Sequence, residues 1–188
     1  MIAVLFALML PSATVEQREM ENARSVHISV GGVWLSRFDL QSSPGVNLAV
    51  THYLNRSLAI DYVNASYFFT YEQPQAIAIR EATGYQSNRE WPRLLVGIGG
   101  RYAFAYGKML IEASSTVLHF VPEISAHVGG MITHTALRPA FDLGLGLRIH
   151  GGKHFTVALE YVFVGSIEGP GTRFIVGGMP KLSLGVVF

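Results

Sequence analysis

From about residue 26 onward, apolar and polar residues alternate along most of the chain. The pattern is clearest in the final segment, where every second position is apolar: Leu182, Leu184, Val186 and Phe188. Successive side chains of a β-strand point to opposite faces, so such a segment forms a strand with one apolar and one polar face. The pattern therefore predicts a chain built largely from β-strands.

Eight alternating segments are separated by turn signals, and they predict eight strands. Their approximate ranges are 26–36, 45–54, 57–69, 93–104, 117–132, 138–150, 154–165 and 174–188. Most are about 10–13 residues long, which exceeds the ~5–6 residues common in soluble sheets. This length is close to that of a tilted strand that crosses a bilayer.

The predicted connections fall into two sets of different length. One set comprises 37–44, 70–92, the segment THTAL and the segment SIEGPGTR; the other comprises NRS, AYGKMLIEASS and GGK. Outer-membrane barrels have short periplasmic turns and longer extracellular loops, so the first set is expected outside the cell. PQAIAIREA, within 70–92, is expected to form a short helix covering the surface, and AYGKMLIEASS is expected to hold a helical turn.

Alternation alone does not say which face of the sheet is outside. A soluble calyx keeps its apolar face inside, whereas a membrane barrel turns that face to lipid. In segment 138–150 the apolar face carries Leu143, Leu145 and Leu147, and the opposite face carries glycine with Asp142 and Arg148. Small residues with sparse opposite charges suit the cramped interior of eight strands better than a water-facing sheet. We therefore predict an all-β fold, a closed antiparallel eight-stranded transmembrane β-barrel, with the calyx as an alternative.

Three positions depart from the regular pattern. His52 falls on the predicted lipid face, at the expected level of the lipid headgroups. The alternation changes phase near Asn64, which predicts a bulge there. Pro122 lacks a backbone donor for the sheet, and it also predicts a bulge.

Composition limits the class of protein further. Hydrophobic residues make up 49% of the 188 residues and charged residues only 14%, against about 25% charged in typical soluble domains. The chain has no cysteine and a net charge of +1, so neither a disulfide framework nor a thiolate zinc site is possible, and nucleic acid is not an expected partner.

The N-terminus predicts export. The apolar run IAVLFALML is followed by small residues, which is typical of a secretory signal with a cleavage site near Ala13, although no basic residue precedes the run. We expect a signal peptide at 1–13, a polar leader at 14–25 and the barrel at 26–188. An ordinary N-terminal strand or helix is the alternative.

A set of ionisable residues is predicted to face the lumen. Its members come from different segments: Asp61, Arg101, Glu123, His127, Asp142, Arg148, Glu160 and Lys181, with His119 also on the inward face. Four carboxylates then face three permanent cations, and buried charges must be paired. We interpret this lumen ion network as a structural plug of salt bridges, so the barrel is expected to conduct poorly.

The chain resembles known membrane barrels. The terminal LSLGVVF, the export-like start and the hairpin YLNRSLAIDY resemble small Gram-negative outer-membrane β-barrel proteins, broadly the OmpA-type eight-stranded class. GRYAFAYGKM, VLHFVPEISAHVGG and FDLGLGLRI are similar to an outer-membrane β-barrel domain family of the deltaproteobacterial kind. The resemblance implies that Leu182, Leu184, Val186 and Phe188 form a C-terminal signal for the barrel-insertion machinery. No peptidoglycan-binding domain is expected after the barrel.

Catalytic and metal sites are weaker hypotheses. Glu123, Ser125 and His127 alternate on one segment, and some eight-stranded barrels of this kind modify lipid A as deacylases or acyltransferases. In this chain, however, the side chains of Glu123, Ser125 and His127 are predicted to face inward. They would lie about 7 Å apart along the strand, which is too far for direct proton transfer. His150 and His154 flank the GGK turn and are interpreted as surface residues. No metal or other cofactor is expected.

The sequence therefore predicts a structural or surface-interaction protein of the bacterial outer membrane. Its expected partners are outer-membrane lipid, the insertion machinery and an extracellular partner at loops 70–92 and 166–173. A lipid-modifying enzyme and a soluble calyx that binds an apolar ligand are the alternatives.

Overall fold

A computed structural model describes residues 24–37, 41–84, 90–111, 116–151, 154–168 and 173–188. The predicted signal peptide at 1–13 lies outside the described residues. Of the predicted leader, only Arg24 and Ser25 are described.

The described residues form ten strands and one helix. In chain order these are β1 (Val26–Arg37), β2 (Gln41–Tyr53), β3 (Leu58–Phe68), β4 (Tyr71–Glu72), α1 (Pro74–Thr83), β5 (Pro92–Ala103), β6 (Gly107–Ile111), β7 (Thr116–Thr133), β8 (Leu137–Gly151), β9 (Phe155–Glu168) and β10 (Arg173–Val187). Eight strands are long, whereas β4 and β6 are short additions that pair with β2 and β7.

The eight long strands close into an antiparallel barrel. Each pairs with its neighbour in the sheet, and β1 completes the circle by pairing with both β2 and β10. Closure removes the free edges that an open sheet would leave. The predicted fold, a closed eight-stranded antiparallel barrel, is thus confirmed. We call the end that carries β4 and α1 the loop end, and the end that carries residues 54–57 the turn end.

Side-chain burial places the apolar residues outside. In β8 the outward Leu143, Leu145 and Leu147 are 53%, 57% and 37% exposed, whereas Asp142 and Arg148 are 3% and 4% exposed. A soluble calyx requires the opposite arrangement, so that alternative is wrong. An outer surface of bulky apolar side chains around a charged interior is the construction of a membrane-spanning barrel.

Two of the predicted irregularities can be compared with the strand register. The β3–β5 pairing shifts between Asp61 and Asn64, which confirms the bulge predicted near Asn64. The bulge predicted at Pro122 is wrong, because β7 keeps a continuous register with β8 through the pair Pro122–Leu147. On its other edge β7 changes partner there, from β5 at Glu123 to β6 at Phe120. A proline is tolerated where the ladder is already interrupted.

The two predicted local helices have different outcomes. PQAIAIREA lies within α1, which begins at Pro74 and ends before Gly84, whose left-handed φ of 66° caps the helix. The helical turn predicted in AYGKMLIEASS is wrong for residues 107–111, which form β6 against β7. Within the described residues, no helix is long and apolar enough to cross a membrane.

The loop-end connections are shorter than predicted in two places. β2 begins at Gln41, and Ser42 already pairs with Ser36 of β1, so residues 41–44 of the predicted 37–44 connection belong to a strand. β9 extends to Glu168 and β10 begins at Arg173, so residues 166–168 and 173 of the predicted 166–173 loop belong to strands. Residues 70–92 remain the longest connection at the loop end.

Candidate functional site in the barrel lumen

The ionisable residues predicted to face the lumen lie together inside the barrel. They come from six strands, and none is more than 6% exposed: Asp61 on β3, Arg101 on β5, Glu123 and His127 on β7, Asp142 and Arg148 on β8, Glu160 on β9 and Lys181 on β10. Every member lies within 4 Å of another, so all eight form one connected network. We call this set the lumen network.

Arg101 is the centre of the lumen network. Its Nε donates to Asp61 Oδ2 at 2.7 Å, and its Nη1 lies 3.4 Å from Glu160 Oε1 and 3.6 Å from Glu123 Oε2. Asp61, with no exposed area, also accepts a hydrogen bond from Thr51 Oγ1 at 2.5 Å. One guanidinium therefore joins carboxylates from three strands.

Glu123 is held by a second guanidinium and by a phenol. Arg148 donates to Glu123 through Nε and Nη2, both at 3.1 Å to the nearer oxygen. The hydroxyl of Tyr53 donates to Glu123 Oε1 at 2.5 Å, and the Arg148 guanidinium lies 5.8 Å from the centre of the Tyr53 ring. Paired hydrogen bonds between arginine and carboxylate are among the stronger polar contacts in proteins.

His127 connects two carboxylates on opposite sides of its ring. Its Nε2 lies 2.6 Å from Asp61 Oδ2, and its Nδ1 lies 2.6 Å from Asp142 Oδ1. A neutral imidazole can donate through only one nitrogen, whereas the imidazolium donates through both. The geometry therefore favours the imidazolium, which would give the network four cations for its four carboxylates.

Uncharged polar side chains complete the network. Lys181 Nζ lies 3.6 Å from Glu160 Oε2 and donates to Asn64 Oδ1 at 3.4 Å. Asn47 Nδ2 donates to the same Asn64 oxygen at 2.8 Å. Ser125 Oγ donates to Glu160 Oε1 at 2.5 Å. Each carboxylate thus has polar partners inside the barrel, which a buried charge requires.

An apolar cluster fills the lumen on the loop-end side of the network. It is formed by inward side chains near the strand ends: Val33, Leu35, Phe68, Leu95, Met131, Ala140, Val162, Val164 and Met179. Leu35, Phe68 and Met131 are each 1% exposed. We call this set the apolar plug. Three buried serines lie at its level, since Ser43, Ser66 and Ser166 pair in the register with Leu35, Leu95 and Ala140.

Polar contacts lie beyond the apolar plug at the loop end. Arg138 donates to Glu90 through Nε, at 2.9 Å to Oε2, and through Nη2. Thr133 Oγ1 donates to Glu90 Oε2 at 2.8 Å, and Arg37 Nη1 donates to the Glu90 carbonyl at 3.3 Å. Glu90 is 7% exposed, so its contacts join β1, β7 and β8 to the end of the longest loop.

The histidines at the turn end lie outside the lumen network. His27 packs against Tyr53 with ring centres 4.5 Å apart, and against His150 at 5.9 Å. His150 is 0% exposed, so its predicted surface location is wrong. His119 accepts or donates a hydrogen bond with the exposed Tyr106 hydroxyl instead of joining the network. Among the described residues, no group of three or more His, Asp or Glu side chains has an arrangement that could hold a metal ion.

The three alternating residues of β7 are each engaged with residues of other strands. Glu123 binds Arg148 and Tyr53, Ser125 binds Glu160, and His127 lies between Asp61 and Asp142. All three side chains lie inside the barrel and are at most 5% exposed.

The C-terminal apolar residues lie on the outer surface. Leu182, Leu184, Val186 and Phe188 are 55%, 54%, 40% and 73% exposed. Phe188 exchanges backbone hydrogen bonds with Val26, at 2.9 and 3.1 Å, where the last and first strands meet.

Similarity to known proteins is confined to the fold. No family model matches the sequence, and no curated protein matches it. Among solved structures, the Neisserial surface protein A is 13% identical with a TM-score of 0.49, and the alignment covers 87% of this chain and 94% of that one. Ail of Yersinia pestis is 12% identical with a TM-score of 0.44, covering 88% and 99%. The N-terminal β-barrel domain of Pseudomonas aeruginosa OprF is 10% identical with a TM-score of 0.46, covering 88% and 98%.

Proposed function

We propose that this chain is a bacterial outer-membrane barrel with a closed lumen, and that it acts as a structural or surface-interaction protein through its loop end. The observation that carries this proposal is the lumen network, whose eight side chains are buried and mutually paired across six strands. Charges that satisfy one another in this way stabilise a fixed interior, because removing either partner leaves an uncompensated buried charge.

The apolar plug supports the same proposal. Ions cross a pore through water or fixed polar groups, and a constriction lined mainly by apolar side chains opposes wetting. The lumen network and the apolar plug occupy successive levels of one eight-stranded barrel. A barrel of this size leaves just enough room for side chains.

The loop end supports a role in surface interaction. Residues 70–92 contain β4 and α1, and none of the residues of α1 is buried. Ile77 and Ile79 are 37% and 46% exposed, so the longest connection presents a short helix with apolar side chains. An extracellular partner at this loop is part of the proposal, with insertion through the C-terminal strand and contact with outer-membrane lipid.

A lipid-modifying enzyme is the less supported function. Such an enzyme must bring its nucleophile to a lipid substrate, whereas Ser125 lies inside the barrel and donates to Glu160. A base must also lie within hydrogen-bonding reach of the nucleophile, and both ring nitrogens of His127 face carboxylates. These contacts favour a structural role for Ser125 and His127.

Single-channel recording in planar lipid bilayers tests the closed lumen. We expect the purified protein to show no large, stable conductance. The Met131→Ala/Met179→Ala variant removes two side chains of the apolar plug, each at most 2% exposed, and is expected to increase the frequency of brief openings.

The matched control is Ile132→Ala/Val176→Ala. It removes apolar volume from the outer face of the same two strands, where the side chains are 42% and 38% exposed, and it should record like the unmodified protein. A large steady conductance from the unmodified protein would contradict the proposal.

A further inference from the structure

A groove of about 500 Å³ opens on the outer face of the barrel near the hairpin that joins β7 to β8. It is lined by Val96, Gly129, Gly130, Ile132, Leu137, Arg138 and Pro139. This volume lies within the range of about 300–1,000 Å³ that is usual for ligand pockets.

The floor of the groove is exposed backbone. Gly130 lies between Val96 of β5 and Pro139 of β8 in the sheet register, and it has no side chain to cover the strand. The adjacent Gly129 is exposed, although His127 and Met131 on either side of it are only 3% and 1% exposed. Two consecutive glycines therefore form a depression in an outer surface that bulky side chains cover elsewhere.

Large apolar side chains form the walls of the groove. Leu137 is 69% exposed and Ile132 is 42% exposed. A Cβ atom added to Gly130 would lie 2.8 Å from Leu137 Cδ1, so the leucine side chain extends over the glycine. Beyond the walls, Val128 and Phe141 are 66% and 42% exposed. The groove is thus continuous with the lipid-facing surface of the barrel.

Arg138 is the charged residue among those that line the groove, and its guanidinium is compensated. It donates to Glu90 through both Nε and Nη2. A charge engaged in this way gives no reason to expect an anionic or water-soluble ligand. The remaining lining residues offer hydrocarbon and backbone, which suits an apolar occupant.

We propose that the groove binds one fatty-acyl chain of a bilayer lipid. It retains this chain longer than the convex outer surface of the barrel retains the acyl chains that contact it. The proposal rests on the proposed membrane location. In a membrane both protein surface and solvent are apolar, so selectivity comes from the number of van der Waals contacts. A chain lying in a concave groove gains contacts on several sides, whereas one on a convex barrel wall gains them on one side only.

Native mass spectrometry of the detergent-solubilised protein, titrated with dioleoyl phosphatidylethanolamine, tests this inference. We expect the unmodified protein to retain one lipid at concentrations at which a second is not retained. In Gly130→Leu the new side chain fills the groove, so the apparent lipid affinity should fall about tenfold or more because the contact surface is lost.

The matched control is Gly32→Leu. Gly32 is an exposed glycine of β1, and an added Cβ atom would meet nothing within 4 Å. It makes the same chemical change on a face without the groove, so lipid retention should stay within about twofold of the unmodified protein. Leu137→Ala removes one wall of the groove without adding volume, and it should also weaken lipid retention. This variant still tests the groove if Gly130→Leu fails to fold.

Equal retention by the unmodified protein, Gly130→Leu and Gly32→Leu would overturn the inference, as would the absence of any retained lipid on the unmodified protein. If the proposed membrane location is wrong, the result is different: the unmodified protein would be recovered from cells without detergent.

Discussion

Arg101 lies between carboxylates of three other strands. Its guanidinium reaches Asp61, Glu123 and Glu160 within 3.6 Å, and it is 6% exposed. Each of these carboxylates was removed from bulk water on folding, so its charge depends on cations inside the barrel. The contribution of Arg101 to stability is therefore best measured by replacing it and leaving these three carboxylates in place.

We predict that Arg101→Met lowers the free energy of unfolding by about 3–5 kcal/mol, because it leaves three carboxylates with one fewer cation in a water-poor interior. Denaturant unfolding in lipid vesicles, followed by tryptophan fluorescence, measures this loss. Adding Asp61→Asn to Arg101→Met should recover part of it, because one of the unpaired charges is then absent.

The same substitution outside the lumen provides the control. Arg80 of α1 pairs with Glu72 at 2.6 Å, but its side chain is 42% exposed. Arg80→Met should therefore cost no more than about 1 kcal/mol. Similar losses for Arg101→Met and Arg80→Met would contradict a tightly coupled lumen network.

Individual residues differ in how far the sequence predicted their environment. The charged residues of the lumen were identifiable because they alternate with the bulky apolar residues of their strands, most clearly Asp142 and Arg148, whose face of β8 is otherwise mainly glycine and alanine. Tyr53 was missed as a partner of Glu123, because an aromatic residue near a strand end is equally typical of the outer girdle. Its 1% exposure shows which face it occupies.

The apolar plug was also missed, although the sequence carries a signal for it. Near the loop end the alternation gives way to continuous apolar runs, such as Val33–Leu35, Leu94–Val96 and Tyr161–Val164. A strand that is apolar on both faces is buried on one side and in lipid on the other. Pattern reasoning that assigned one polar face to every strand could not find this change along the barrel.

At the scale of elements, the long strands were predicted well because length and alternation act together. β5, predicted at 93–104, spans Pro92–Ala103, and β8, predicted at 138–150, spans Leu137–Gly151. β6 was missed because its pairing with the extended start of β7 is a tertiary contact. Its glycine and lysine give little local preference for a strand.

The helix α1 yields a prediction about orientation. The chain has no cysteine, so a single introduced thiol is a specific label site. In the Ala78→Cys variant the thiol lies on an exposed position of α1, and it should react with a membrane-impermeant maleimide on intact cells, because the longer loops of outer-membrane barrels face outward.

Arg56→Cys is the matched control for orientation. Arg56 is exposed in the connection between β2 and β3 at the turn end, so this variant should react only after the outer membrane is opened. Labelling of Arg56→Cys but not Ala78→Cys on intact cells would reverse the proposed orientation. Equal labelling of both on intact cells would contradict a barrel that separates the two ends.

At the scale of the whole molecule, one closed sheet separates two environments. Closure pairs β1 with β10 and so satisfies the backbone groups that hydrocarbon would leave without partners. Bulky apolar side chains then form the outer surface, while the interior is divided along its length into the His27–Tyr53–His150 contacts, the lumen network and the apolar plug. Fold and orientation of the faces were predictable from sequence, whereas this division depends on which inward side chains meet across the barrel.

The orientation of β8 decides the rest, with its leucines facing lipid and its charged side chains facing the lumen. Single cysteines at successive positions from 141 to 147, each carrying a nitroxide label in lipid vesicles, allow this orientation to be measured by electron paramagnetic resonance. We predict high accessibility to dissolved oxygen at 141, 143, 145 and 147, with low accessibility to a water-soluble nickel reagent at every position. Oxygen accessibility that peaks instead at 142, 144 and 146, or nickel accessibility at the leucine positions, would contradict the account.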